Sequence, residues 1–183
     1  MKMTNFLAFY PHIPESTNKL YYNRPGGGRG ISAKADAYKK RLISWLVQEF
    51  IHSGCKGFDP NAMYDVRLLF MLPNLFTKGW PKKADTRFKK EDVDNLVKLL
   101  LDGLSAAMGI DDRCFFSVMS TKVPSEISGV GIHLMQIEEV ARDGTHIDIM
   151  ETLTRQFITP IVHPNAALLN AFLEMVEETT RGE

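Results

Sequence analysis

The stretch EDVDNLVKLLLDGLSAAMGIDDRCFFSVMSTKV, residues 91–123, joins a helix to a strand and sets acidic residues at both ends of that helix. At about 100° per residue, Val93, Leu96, Val97, Leu99, Leu100, Leu101, Leu104 and Met108 fall in one broad apolar arc. Asp94, Asn95, Lys98, Asp102 and Ser105 share the opposite arc. The spacing predicts a helix over 92–108 that packs its apolar arc on a sheet. Gly109 ends it, because glycine enters the left-handed cap conformation without steric cost. Asp92 fits neither arc. It is therefore placed at or before the N-cap, where a carboxylate meets the orphan amides of the first turn and still turns toward Asp94.

Outward from this helix the chain alternates. After it, 115–123 and 130–137 read as strands, and the short polar linker PSEISG (124–129) predicts that they form an antiparallel hairpin. Before it, 65–72 alternates as a strand, with Val66, Leu68, Phe70 and Leu72 on one face and Leu69 and Met71 on the other, both faces covered. Ser32 caps a helix over 33–51, with apolar positions Ala37, Leu42, Ile43, Trp45, Leu46 and Phe50. Asn5 to Tyr10 is a first strand, followed by a long loop over 11–31. The order β-α-β-α-β-β predicts an α/β (α+β) fold, a mixed sheet of about four strands with helices packed on it. The domain spans 1–139. Residues 140–183 form a C-terminal helical extension, its amphipathic helix over 166–179 carrying Ala167, Leu168, Ala171, Phe172, Met175 and Val176.

The chain has 183 residues, 44% of them apolar, enough for a core. No apolar run approaches the roughly 20 residues needed to cross a bilayer, and the N-terminus lacks a signal peptide's apolar centre, so a cytoplasmic protein without a membrane partner is expected. Cys55 and Cys114 are too few and too far apart for a disulfide framework or a zinc knuckle. His12, His52, His133, His146 and His163 show no metal-ligand spacing. The zero net charge is a sum of opposites. Through Ile137 there are 19 Lys and Arg against 13 Asp and Glu; from Glu138 onward there are 3 against 9. A basic body suits a polyanion. Its cations concentrate in two loops that also hold aromatics: Asn18, Lys19, Tyr22, Arg24 and Arg29 in the first, and Lys82, Lys83, Arg87, Lys89 and Lys90 in the second, with Lys78, Trp80 and Phe88 among them.

Hydrolysis of a phosphodiester must neutralise a transition state of added negative charge, and carboxylates hold a hard cation while leaving positions open for water and phosphate. Asp92 and Asp94 are suited to that, and Lys98, one turn on, is placed to stabilise developing charge. A bare Asp-x-Asp at a helix start is more often a cap than a site. The Asp111-Asp112 doublet lies past the far end of the helix, roughly 21 Å away along its axis. Two arrangements would bring it to Asp94: a chain that doubles back, or a dimer in which one subunit completes the other's site. The residues alone leave both open.

These residues resemble the RusA family of Holliday-junction resolvases, small phage and prophage enzymes. The resemblance covers roughly residues 5–137. It rests on 14–22 with Asn18 and the Tyr21-Tyr22 pair, on Ser32, on Asp92-Val93-Asp94-Asn95-Leu96-Val97-Lys98, and on Gly109-Ile110-Asp111-Asp112. It implies a homodimer that binds a four-way junction and makes paired cuts dependent on Mg²⁺, with Mn²⁺ a substitute and no small-molecule cofactor. The acidic triad would fall on Asp92, Asp94 and Asp112 and the essential lysine on Lys98. Three features depart from the family pattern. Glu91 stands where a basic residue is usual, the loop over 73–90 is longer than the family needs, and the residues after Glu139 have no counterpart. The alternatives are a junction- or DNA-binding protein of the same fold without catalysis, and an assembly protein docking through its tail helix.

Overall fold

The computed structural model describes residues 5–14, 21–23, 25, 27, 29–55, 57–83, 85–88 and 93–137. Among these residues six strands and two helices follow in order: β1 (Asn5–Tyr10), β2 (Tyr21–Asn23), β3 (Arg29–Ile31), α1 (Ala33–His52), β4 (Met63–Leu72), α2 (Asp94–Met108), β5 (Phe115–Pro124) and β6 (Gly129–Ile137), with a 3-10 turn (Asp112–Cys114) before β5. Four strands form one mixed sheet in the order β1-β6-β4-β5. The α+β class and the strand-helix order of the main sheet are those expected. The expected extension over 140–183, with its helix 166–179, lies outside the described residues.

The pairing of the last two strands is a correction. β5 and β6 are not a hairpin: β5 runs parallel to β4 on one side, while β6 runs antiparallel to β4 on the other and to β1 beyond. A short polar linker normally signals a hairpin, but the residues between β5 and β6 need only step across the end of β4, two strand spacings or about 10 Å. β4 and β5 are joined through α2, and a connection that contains a helix is the kind that parallel neighbours require. β5 is thereby left at the sheet edge and β4 at its centre.

β4 shows what that position demands. Tyr64, Val66, Leu68, Phe70 and Leu72 are buried on the face that carries both helices, and Leu69 and Met71 on the other. The helix-bearing face is closed by Phe6, Ala8 and Tyr10 of β1, Val130, Ile132 and Leu134 of β6, and the buried stripes of the helices. In α1 the stripe is Ala35, Tyr38, Leu42, Leu46 and Phe50, and Ser32 Oγ accepts from the Ala35 amide at 3.2 Å, as its cap position predicts. Ala37 is exposed, since the stripe passes it by, running through Ala35 and Tyr38. In α2 the stripe is Leu96, Leu99, Leu100, Leu104 and Met108. The two helices meet where Gly103 faces Leu42; a Cβ there would stand 2.5 Å from a Leu42 methyl, so the close approach depends on glycine.

The loop over 11–31 holds structure that the sequence did not announce. β2 and β3 pair antiparallel, Tyr22 opposite Gly30, as a separate two-stranded ribbon. Three-residue strands around glycines carry too little alternation to be read from pattern.

Candidate active site

α2 starts at Asp94. Val93 is its N-cap and, being apolar, makes no side-chain capping bond; Asp94, exposed in the first turn, lies at the positive end of the helix dipole. Lys98 lies one turn on, its Nζ 4.0 Å from Asp102 Oδ1. The helix ends on Gly109, at φ 69°, and both Gly109 and Ile110 amides donate to Ser105 O.

The two aspartates beyond that turn do different things. Asp111 caps the 3-10 turn: its Oδ1 accepts from the Arg113 amide at 3.0 Å and lies 3.9 Å from Arg113 Nε. Asp112 is exposed and turns elsewhere. The turn is tied to the core through Cys114, which is buried and donates from Sγ to Pro60 O at 3.3 Å, so this thiol has a structural use.

From there β5 runs back alongside α2, and a groove of about 380 Å³ opens between them at the sheet edge. On the helix side it is lined by Val93, Asp94, Val97, Lys98, Leu101 and Asp102; on the strand side by Val118 and Ser120; and at the turn by Asp112. Asp94, Lys98 and Asp112 therefore line one groove within a single chain. Val118 and Ser120 stand opposite Val66 and Leu68 of β4, on the helix-bearing face. Neither was expected to have a role, because pairing β5 with β6 did not lay it beside α2.

Carboxylate oxygens suit a hard cation such as Mg²⁺, and Asp94 and Asp112 present them to this groove. Among the described residues no group of three or more His, Cys, Asp or Glu is arranged to hold a metal ion. A complete ligand set would need a further carboxylate, and Asp92, next to Val93 in the chain, lies outside the described residues. So do Asn18, Lys19, Arg24, Lys89, Lys90 and the Arg29 side chain. Of the other expected DNA contacts, Tyr22, Lys82, Lys83 and Arg87 are exposed.

Residues 11–135 match the family model described as Endodeoxyribonuclease RusA, well over half of the chain. The chain belongs to the RusA endodeoxyribonuclease family. The RusA match begins just after β1, takes in both helices and all of β5, and ends within β6, so the whole groove lies inside it. Membership places the chain among nucleases that hydrolyse DNA internally. No curated protein matches the chain. Among the described residues no helix is long and apolar enough to cross a membrane.

Proposed function

We propose that the protein is a metal-dependent endodeoxyribonuclease that resolves four-way DNA junctions by paired cuts, acting as a homodimer with one groove per subunit in the body over 1–139. The observation that carries this reading is that Asp94, Lys98 and Asp112, from two separate segments of a RusA-family chain, line one groove. Asp92, Asp94 and Asp112 would hold the ion, and Mg²⁺ or Mn²⁺ supplies positive charge to the scissile phosphate and lowers the pKa of the attacking water.

The protein's own groups do the rest. Asp94 and Asp112 would hold the ion from the two sides of the groove that they line. Lys98 is half-exposed, and its contact with Asp102 at 4.0 Å is a surface pair worth about 1 kcal/mol or less, so a phosphate oxygen can take the ammonium over at small cost. Val97, Leu101 and Val118 give the groove an apolar wall beside these charged groups.

The test is cleavage of an end-labelled synthetic four-way junction in Mg²⁺, with light scattering for subunit number. Wild-type protein should nick opposed strands and run as a dimer. Asp94→Asn should bind the junction in a gel shift without cutting it. Binding without cutting by the wild type, in Mg²⁺ and in Mn²⁺, would leave only a DNA-binding module; equal cutting by Asp94→Asn would remove the residue from the site.

A further inference from the structure

Between β4 and α2 the chain forms a compact loop whose outer surface is aromatic. Phe76 and Phe88 make an isolated antiparallel bridge, their ring centroids 5.6 Å apart, and the Thr77 amide donates to Arg87 O at 2.9 Å. Inside that closure Gly79 turns the chain at φ 87°, and the Lys83 amide donates to Gly79 O at 2.7 Å. The Arg87 guanidinium carbon lies 5.6, 5.7 and 5.4 Å from the ring centroids of Phe76, Trp80 and Phe88. All three distances fall within cation–π range.

The rings are ordered but not buried: Phe76, Trp80 and Phe88 remain 43%, 47% and 51% exposed. Such a cluster, held by backbone bonds and one shared cation, leaves aromatic surface in water, which marks a contact site. Its surroundings specify the occupant. Residues 76–88 carry Lys78, Lys82, Lys83 and Arg87 against Asp85 alone. Aromatic faces among exposed ammonium groups match a chain of stacked rings strung on phosphates. Phe88 precedes Asp94 by six residues, which holds their Cα atoms within about 22 Å.

We propose that this aromatic clasp is a stacking platform for unpaired or splayed nucleobases at the branch point of the DNA, next to the groove. The inference rests on the nuclease reading for its substrate. In a duplex the base faces are hidden by their neighbours; at a branch they are open, and every base has a face that an aromatic ring can cover. The platform thus distinguishes branched or single-stranded DNA from continuous duplex without reading sequence. The lysines track the backbone, which branched and continuous DNA share.

Trp80 reports on this directly. The chain has two tryptophans, and the other, Trp45, packs on Tyr10 with ring centroids 4.9 Å apart. The full-length protein is titrated in EDTA with a four-way junction, an oligo-dT strand and a continuous duplex, following both emission and gel shift. The junction and the single strand should quench emission, the duplex should not, and Trp80→Phe should abolish the change. Trp80→Ala and Phe88→Ala should each weaken junction binding by about tenfold and leave duplex binding within about twofold, whereas Trp80→Phe, which keeps a ring, should restore junction affinity. Unchanged Trp80 emission at saturating junction, equal losses on junction and duplex, or no rescue by Trp80→Phe would overturn the proposal. The same junction in Mg²⁺ separates the two readings: cutting without a stacking signal sinks the clasp alone, and a stacking signal without cutting sinks the nuclease reading alone.

Discussion

Asp94 and Asp112 line one groove although the whole of α2 separates them in the chain. The return is made by the left-handed turn at Gly109, the 3-10 turn and a strand that runs back beside the helix. Within the doublet the work is divided, since Asp111 is occupied in capping and Asp112 faces the groove. Asp112→Asn should therefore abolish junction cutting while thermal denaturation stays within a few degrees of wild type. Asp111→Asn retains a capping oxygen and should cut within a few-fold of wild type, whereas Asp111→Ala should lose about 1 kcal/mol of stability. Equal losses of cutting in Asp111→Asn and Asp112→Asn would show that the doublet acts as a unit.

Much of this was legible before any coordinates. β1 matches its reading residue for residue, β4 starts two residues earlier than read, and the caps Ser32 and Gly109 sit where their chemistry predicts. Asp94, Lys98 and Asp102 of the polar arc of α2 line the groove, joined there by Val93, Val97 and Leu101, which were read into the apolar arc. What stayed hidden is non-local. The residues of 124–129 look the same whether they turn a hairpin or step over β4, and that choice decides whether Val118 and Ser120 meet α2. Asp111 and Asp112 are chemically identical in the sequence, and only the turn that one of them caps tells them apart. The rings around Arg87 come together through loop closure, which no periodicity reports.

Asp65 is the chain's one buried charged residue among the described residues, 1% exposed, and Arg67 Nε meets its Oδ2 at 2.7 Å on the sheet face that carries no described helix. Its Oδ1 has no hydrogen-bond partner among the described residues. Asp65→Ala removes a charge-assisted hydrogen bond that the buried carboxylate makes within the sheet, and should cost about 2 kcal/mol. A urea melt of the two proteins measures it. A cost below about 1 kcal/mol would mean that the Asp65–Arg67 bond contributes little to stability.

His133 stands directly across from Arg67 on β6, and its imidazole carries the clearest pH signature of the fold. Burial lowers its pKa below the usual 6.5, the Arg67 guanidinium lowers it further, and the Asp65 carboxylate opposes both. The hydrogen bonding agrees. The neutral tautomer with its proton on Nε2 donates to Asn5 Oδ1 at 2.9 Å, and Nδ1 is buried without a partner among the described residues, so protonation there would add a donor with nothing to receive it. The unfolded chain takes up that proton as pH falls through about 6.5, while the folded chain resists until a lower pH. Stability from this group is therefore fully present above about pH 6.5 and is lost as the pH falls from there toward the folded-state pKa. Urea melts between pH 8 and pH 5 should show wild type weakening more steeply than His133→Gln, which keeps a donor for Asn5 and has no titrating group. Parallel stability curves would mean that the imidazole is solvated well enough to ionise in place.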